Sequence, residues 1–204
     1  MGRGRFVTFE GIDGSGKSTQ IAILADTLRA EGRTVVVTRE PGGTLVGERL
    51  RELVLLTKVE IAPETEALMF AAARAQLVRE VIEPALAAGS WVLSDRFLDS
   101  SLAYQGAARG LGVDAVRTAN ALAIGSCLPD LTVVLDVPVD ATVARETGPA
   151  DRIESEGTSL QQLVADAYRE LALLEPERVV LVAGDASPQI VGERVATLVR
   201  ERLG

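Results

Sequence analysis

The chain contains no histidine. That removes the commonest general base and the commonest transition-metal ligand together. Any catalysis must then work through carboxylates, lysine, arginine, backbone dipoles or a hard cation. A single cysteine, Cys127, excludes an intrachain disulfide and a multi-thiolate zinc centre. It lies in an apolar stretch and reads as a small buried side chain. Lysine is nearly absent, because Lys17 and Lys58 are the only two and every other basic residue is arginine. A lysine inside a glycine loop departs from that habit and points to a need for a compact ammonium there.

Positive charge is also in deficit. The formal net charge is −8, which argues against a nucleic-acid surface but leaves room for a small anionic ligand where arginines gather. No apolar run approaches the length needed to span a bilayer. Met1-Gly2-Arg3-Gly4-Arg5 leads straight into a short apolar run without the features of a signal peptide, so residence in the cytoplasm is expected.

The 204 residues fit one domain, and no repeat, low-complexity tract or linker divides them, so a single domain over 1–204 is expected. Five short runs are almost continuously apolar: Phe6–Glu10, Thr34–Thr38, Trp91–Asp95, Leu131–Val137 and Val179–Ala183. That pattern suits strands covered on both faces. Helical patterns fall between them, at Lys17–Ala30, Leu45–Leu56, Pro63–Ala88, Asp114–Ile124, Ser159–Leu174 and Pro188–Arg202. Alternation of this kind predicts an α/β fold with a five-stranded parallel sheet between helical layers. Ligands in such sheets bind beyond the carboxyl ends of the strands. Glu146–Thr158 is polar, contains Gly148-Pro149, and has the composition of a mobile lid.

Gly11-Ile12-Asp13-Gly14-Ser15-Gly16-Lys17-Ser18 matches G-x-x-x-x-G-K-[ST] in full, with an apolar run before it and a helical pattern after it. Gly14 and Gly16 let successive N–H groups converge on phosphate oxygens, and the following helix aims its positive end at the same anion. Lys17 would reach the β- and γ-phosphates, while the Ser18 hydroxyl would ligate Mg²⁺. The fold class is thus a P-loop NTPase-type three-layer arrangement. Trp91-Val92-Leu93-Ser94-Asp95-Arg96 places an acid at a strand's carboxyl end. Asp95 is positioned to hold the hydrated Mg²⁺ opposite Ser18, and Arg96 to clamp a second phosphate. The loop alone names a nucleotide site, not a reaction. A guanine-selecting Asn-Lys-x-Asp motif, which a GTPase switch would need, is absent.

Longer motifs make the choice. Phe9-Glu10-Gly11-Ile12-Asp13-Gly14-Ser15-Gly16-Lys17-Ser18-Thr19, Thr38-Arg39-Glu40-Pro41-Gly42-Gly43-Thr44, Thr65-Glu66-Ala67-Leu68-Met69-Phe70-Ala71-Ala72-Ala73-Arg74 and Asp95-Arg96-Phe97-Leu98-Asp99-Ser100-Ser101-Leu102-Ala103-Tyr104-Gln105-Gly106 follow one another in order, continued by Pro129-Asp130-Leu131-Thr132 and Asp151-Arg152-Ile153-Glu154. Over nearly its whole length the sequence resembles the thymidylate kinases of the nucleoside-monophosphate kinase group. The resemblance implies ATP as donor, dTMP as acceptor, Mg²⁺ as cofactor and a homodimer, with neither nucleic acid nor membrane as partner. Residues 11–19 would cradle the ATP phosphates. Asp13 would accept from the acceptor's 3′-hydroxyl, and Arg39 and Arg96 would hold its phosphate. Phe70 would stack on the thymine ring, with Arg74, Ser101 and Gln105 reading its edge. Tyr104 would fill the space of a ribose 2′-hydroxyl, and Arg51 and Ser100 would belong to the same acceptor pocket. Plainer readings compete: Phe70 and Tyr104 as core, Ser100 and Ser101 as helix caps, Arg51 as a solvated charge.

The sequence departs from the resemblance in the lid. Members with no basic residue in the glycine loop besides the motif lysine, Lys17 in this chain, usually carry several lid arginines, whereas here Arg145 and Arg152 flank an arginine-free Glu146–Ala150. Arg145 and Arg152 would join Lys17 and Arg96 as catalytic residues. Either they suffice, or a residue elsewhere substitutes, or transfer is slow. Kinases for another monophosphate or a deoxynucleoside, and an inactive nucleotide-binding paralogue, remain open alternatives.

Overall fold

The computed structural model describes residues 2–56, 59–143 and 152–204. β1 (Phe6–Glu10), β2 (Val35–Arg39), β3 (Trp91–Asp95), β4 (Leu131–Asp136) and β5 (Val179–Ala183) form one sheet in the order β2-β3-β1-β4-β5. Every pairing is parallel; Phe6 lies opposite Val92, and Val7 opposite Leu131. The chain moves from β1 outward to one side and then crosses to the other, so the crevice at the carboxyl ends opens beside β1.

The apolar character of these strands follows from cover on both faces. Val7, Phe9, Leu93 and Val133 pack under α1 (Lys17–Ala30) and α9 (Pro188–Leu203), against Ile21, Leu24, Val191 and Val195. Phe6, Val92 and Val134 face the opposite layer, where Leu77, Leu102, Val164 and Tyr168 lie. That layer holds α3 (Pro63–Leu77), α6 (Val113–Ile124) and α8 (Thr158–Leu174). Expected and observed boundaries agree to one or two residues, the ordinary scatter of element ends. α2 (Leu45–Leu55) starts where Thr44 caps it by accepting from the Gly47 N–H.

Three differences have physical causes. The single helix expected over Pro63–Ala88 is α3, a π-helical turn over Val78–Ile82, and α4 (Glu83–Ala87). Pro84 has no N–H to donate and its ring crowds the preceding turn, which a wider π turn accommodates. A second helical run was not evident from the sequence: α5 (Leu98–Ser101) continues as a π-helical stretch over Leu102–Ala108. Its Ser-Ser and Gly106 weaken helix propensity, and the π register destroys the 3.6-residue period. α7 (Val139–Val143) is too short to leave a periodic signal. Of the segment expected to be a lid, residues 146–151 lie outside the described residues; Glu154–Glu156 form a 3₁₀ turn and Thr158 already belongs to α8.

Candidate active site

Gly14 and Gly16 both have positive φ, at 72° and 98°. A Cβ on Gly14 would also sit 3.0 Å from the Thr142 carbonyl oxygen, whereas one on Gly16 would meet nothing. Backbone conformation alone demands the second glycine. The loop and its flanks border a cleft of about 780 Å³. Lys17 is buried under the loop and donates to the carbonyls of Gly11 (3.2 Å) and Ile12 (3.0 Å). Burial, aided by the Arg96 charge, lowers its ammonium to about 8.

The Ser18 hydroxyl donates to Asp95 Oδ2 at 2.8 Å across the cleft mouth. A hydroxyl and a carboxylate oxygen at this spacing suit Mg²⁺, which keeps several waters and takes few protein oxygens. Among the described residues no group of three or more acidic, His or Cys side chains could hold a metal alone. A cation held by this pair would have to complete its coordination with phosphate and water.

β3 ends at Asp95, and Arg96 turns the chain with a φ of 69°, the only positive φ among the described residues other than glycine. Strain of this kind persists where surroundings over-determine it. The Arg96 N–H donates to the Phe9 carbonyl (2.9 Å) and Ser94 Oγ donates to the Arg96 carbonyl (2.7 Å). Its guanidinium, with a side chain 16% exposed, donates to Asp13 Oδ1 at 2.5 Å, Ser100 Oγ at 3.0 Å and Tyr104 Oη at 3.3 Å. The Tyr104 ring lies 5.1 Å beneath it. Burial opposes the charge on Arg96, but Tyr104 and Asp13 outweigh burial and hold it firmly protonated. Burial likewise raises the Asp13 carboxyl, yet Arg96 and Lys17 overturn that and hold it well below the usual range.

A second cavity, about 130 Å³, adjoins the first. Asp13, Glu40, Arg51 and Arg96 line both, so the two meet at that wall. Phe70, Ser101, Tyr104 and Gln105 line the inner cavity, and Arg39 the outer. Arg39 leans on Glu48 (3.1 Å) with 57% of its side chain exposed. Arg51 donates to the Pro41 carbonyl at 3.0 Å. Ser100 also lines the inner cavity; its hydroxyl donates to Glu10 (2.6 Å) and accepts from Arg96 (3.0 Å), so it helps hold that guanidinium in place.

Arg74 and Arg152 do not join these residues. Arg74 is 1% exposed behind the pocket wall. Its five N–H groups are used by Glu40, Ser101, Asn120 and the Phe97 carbonyl. Arg152 lines neither cavity; its guanidinium is paired with Glu66 and donates to the Val54 carbonyl at 2.8 Å. Arg145 lies outside the described residues.

Several contributors went unassigned in the sequence. Glu10 is fully buried, accepts from Phe97 N–H (2.8 Å), Ser100 (2.6 Å) and Tyr168 (2.7 Å), and is raised by burial, then by Asp99, to about 7. Glu40, raised by burial against the pull of Arg74, keeps an unpartnered Oε1 at the wall between the cavities. Gln161, from α8, donates to Asp13 Oδ2 at 3.1 Å. A carboxylate ending an apolar strand was a usable signal for Glu10, but nothing near Gln161 or Tyr168 announces a partner about 150 residues away.

The fold, the phosphate loop and the adjoining second cavity define a P-loop nucleotide-binding protein of the phosphotransferase type. The sequence profile described as thymidylate kinase matches residues 9–195, and the chain belongs to that family. Thymidylate kinase of Bradyrhizobium sp. (strain ORS 278) is 49% identical over 99% of this chain and 92% of its own length. Those of Desulforudis audaxviator (strain MP104C) and Caldanaerobacter subterraneus subsp. tengcongensis are 48% and 45% identical, covering 98% of this chain and 92% and 97% of theirs.

Proposed function

We propose that this protein moves the γ-phosphoryl group of ATP onto the phosphate of dTMP, giving ADP and dTDP. The observation that carries the reading is the meeting of two cavities at Arg96 and Asp13. The triphosphate lies over the P-loop, with Lys17 on its terminal phosphates; the monophosphate enters the inner cavity, its thymine against Phe70 and its phosphate on Arg96 and Arg39. Asp13 accepts from the deoxyribose 3′-hydroxyl, and Tyr104 occupies the place a 2′-hydroxyl would need. Gln105 and Ser101 meet the base edge, Arg51 lines the pocket, and Arg74 stands behind it.

Phosphoryl transfer needs alignment and charge neutralisation more than covalent help. The acceptor phosphate is already ionised at neutral pH, so a chain without histidine lacks nothing essential. Mg²⁺ on Ser18 and Asp95 would neutralise the β- and γ-oxygens. Arg96 fixes the attacking oxygen in line, and Asp13 fixes Arg96. Of the two lid arginines, Arg145 supplies charge at the phosphates and Arg152 fastens the lid's C-terminal stem. We also place the protein in the cytoplasm and read it as a homodimer. Exposed Leu68 on α3 and Leu122 on α6, two helices packed together, favour that assembly.

The test is ADP release with ATP, Mg²⁺ and a panel of monophosphates and nucleosides. dTMP is expected to be turned over at least tenfold faster than any other common acceptor. ADP release indifferent to every acceptor would reject the reading; preference for a different monophosphate or a nucleoside would replace it.

A further inference from the structure

Gln105 lines the inner cavity at 2% exposure, and an amide presents either a donor or an acceptor depending on which way it is turned. Its Nε2 donates to Glu66 Oε1 at 2.8 Å. Glu66 is 1% exposed, lies in the first turn of α3, and lines neither cavity. It pairs with two guanidiniums: Arg109 Nε reaches Oε1 at 2.6 Å, and Arg152 reaches Oε2. Arg109 is itself held by Glu156 through two bonds of 3.0 and 2.6 Å. A carboxylate in two ion pairs can only accept hydrogen bonds.

We infer that Glu66 is a specificity-determining positioning residue: by taking the Gln105 amide nitrogen it turns the Gln105 carbonyl oxygen toward the base. This rests on the thymidylate reading. The amide has one favourable orientation, because the flipped one would set its carbonyl oxygen against the Glu66 carboxylate in a buried place. A fixed acceptor matches the imide N3–H of a 2,4-dioxopyrimidine. It opposes cytosine, whose N3 is an acceptor, so that the wrong base leaves two buried acceptors facing each other. Arg152 gives the arrangement a link to the lid stem, since the same carboxylate fastens both.

The experiment compares kcat/KM for dTMP, dUMP and dCMP in the full chain and in Glu66→Gln. A glutamine keeps shape and can still accept from Arg109, but it can also donate, so Gln105 becomes free to flip. Glu66→Gln is expected to shrink the dTMP-to-dCMP ratio roughly tenfold or more, with dUMP following dTMP. Equal loss for all three would show Glu66 to be merely structural. Gln105→Met leaves the Glu66 ion pairs in place and guards against misfolding of the first variant. It should lower kcat/KM for dTMP and dUMP roughly tenfold while changing dCMP less than about threefold; parallel changes overturn the inference. A wild-type enzyme that ignores dTMP would instead remove the reading on which the inference stands.

Discussion

On the proposed reading, Lys17 carries both the binding of the triphosphate and its pH dependence. Burial and the neighbouring Arg96 lower its ammonium to about 8, so the unliganded protein begins to lose that charge just above neutrality. A triphosphate brings negative charge and restores it. The protonated form therefore dominates below about 8 and disappears as pH rises through that value. ATP affinity should fall between pH 8 and 9.5, approaching about tenfold per unit, and binding near pH 8.5 should take up protons. Titration calorimetry in buffers of different ionisation enthalpy measures that uptake. Lys17→Met should bind weakly at every pH with no uptake; a wild type that also shows none would refute the role. Arg96 carries the complementary lesson. The sequence made it an acceptor-phosphate clamp from its place after Asp95, and the structure adds the positive φ and the Asp13, Ser100 and Tyr104 contacts that aim it.

Among elements, the junction of α5 with the sheet depends on a buried ion pair. Asp99 is fully buried and takes two bonds from Arg178, at 2.6 and 2.8 Å, while Thr132 of β4 donates to the same carboxylate at 2.9 Å. Arg178 precedes β5, so the pair ties the start of the last strand to the helix that presents Ser100 and Ser101. Replacing Arg178 by Met leaves Asp99 buried without its partner, at an expected cost of about 3–5 kcal/mol. Urea denaturation should show a lower midpoint with an unchanged slope. A loss below about 1 kcal/mol would mean that Thr132 and water satisfy Asp99 unaided. The π-helical continuation of α5 belongs to the same scale. It carries Tyr104 and Gln105 to the cavity in a register that heptad or 3.6-residue counting does not predict.

For the whole molecule, Glu10 is a joint between layers. Its carboxyl accepts from Phe97, Ser100 and Tyr168, tying β1 to the α5 segment and to α8. Burial, then Asp99, raises it to about 7. A carboxyl raised on folding favours the native state most below its unfolded value, and that advantage fades as pH rises through its folded value. Stability should therefore decline from about pH 5 to pH 8. Glu10→Gln should flatten that portion of the profile, as read from urea midpoints at each pH. Profiles of equal slope would exclude Glu10 as the titrating group. The sheet strands, the P-loop and the order of motifs were legible in the amino-acid order alone, because those depend on local apolar runs, glycine conformations and short spacings. That order also supplied most cavity residues, among them Phe70, Ser101, Tyr104 and Gln105. It took the packed fold to show that Arg74 and Arg152 are occupied elsewhere, that Gln161 and Tyr168 reach back to Asp13 and Glu10, and that Glu66 accepts from the Gln105 amide. The reason is physical: a strand or a loop is written in neighbouring residues, whereas the partner of a buried charge is chosen by whichever distant group the packed layers bring within hydrogen-bond reach.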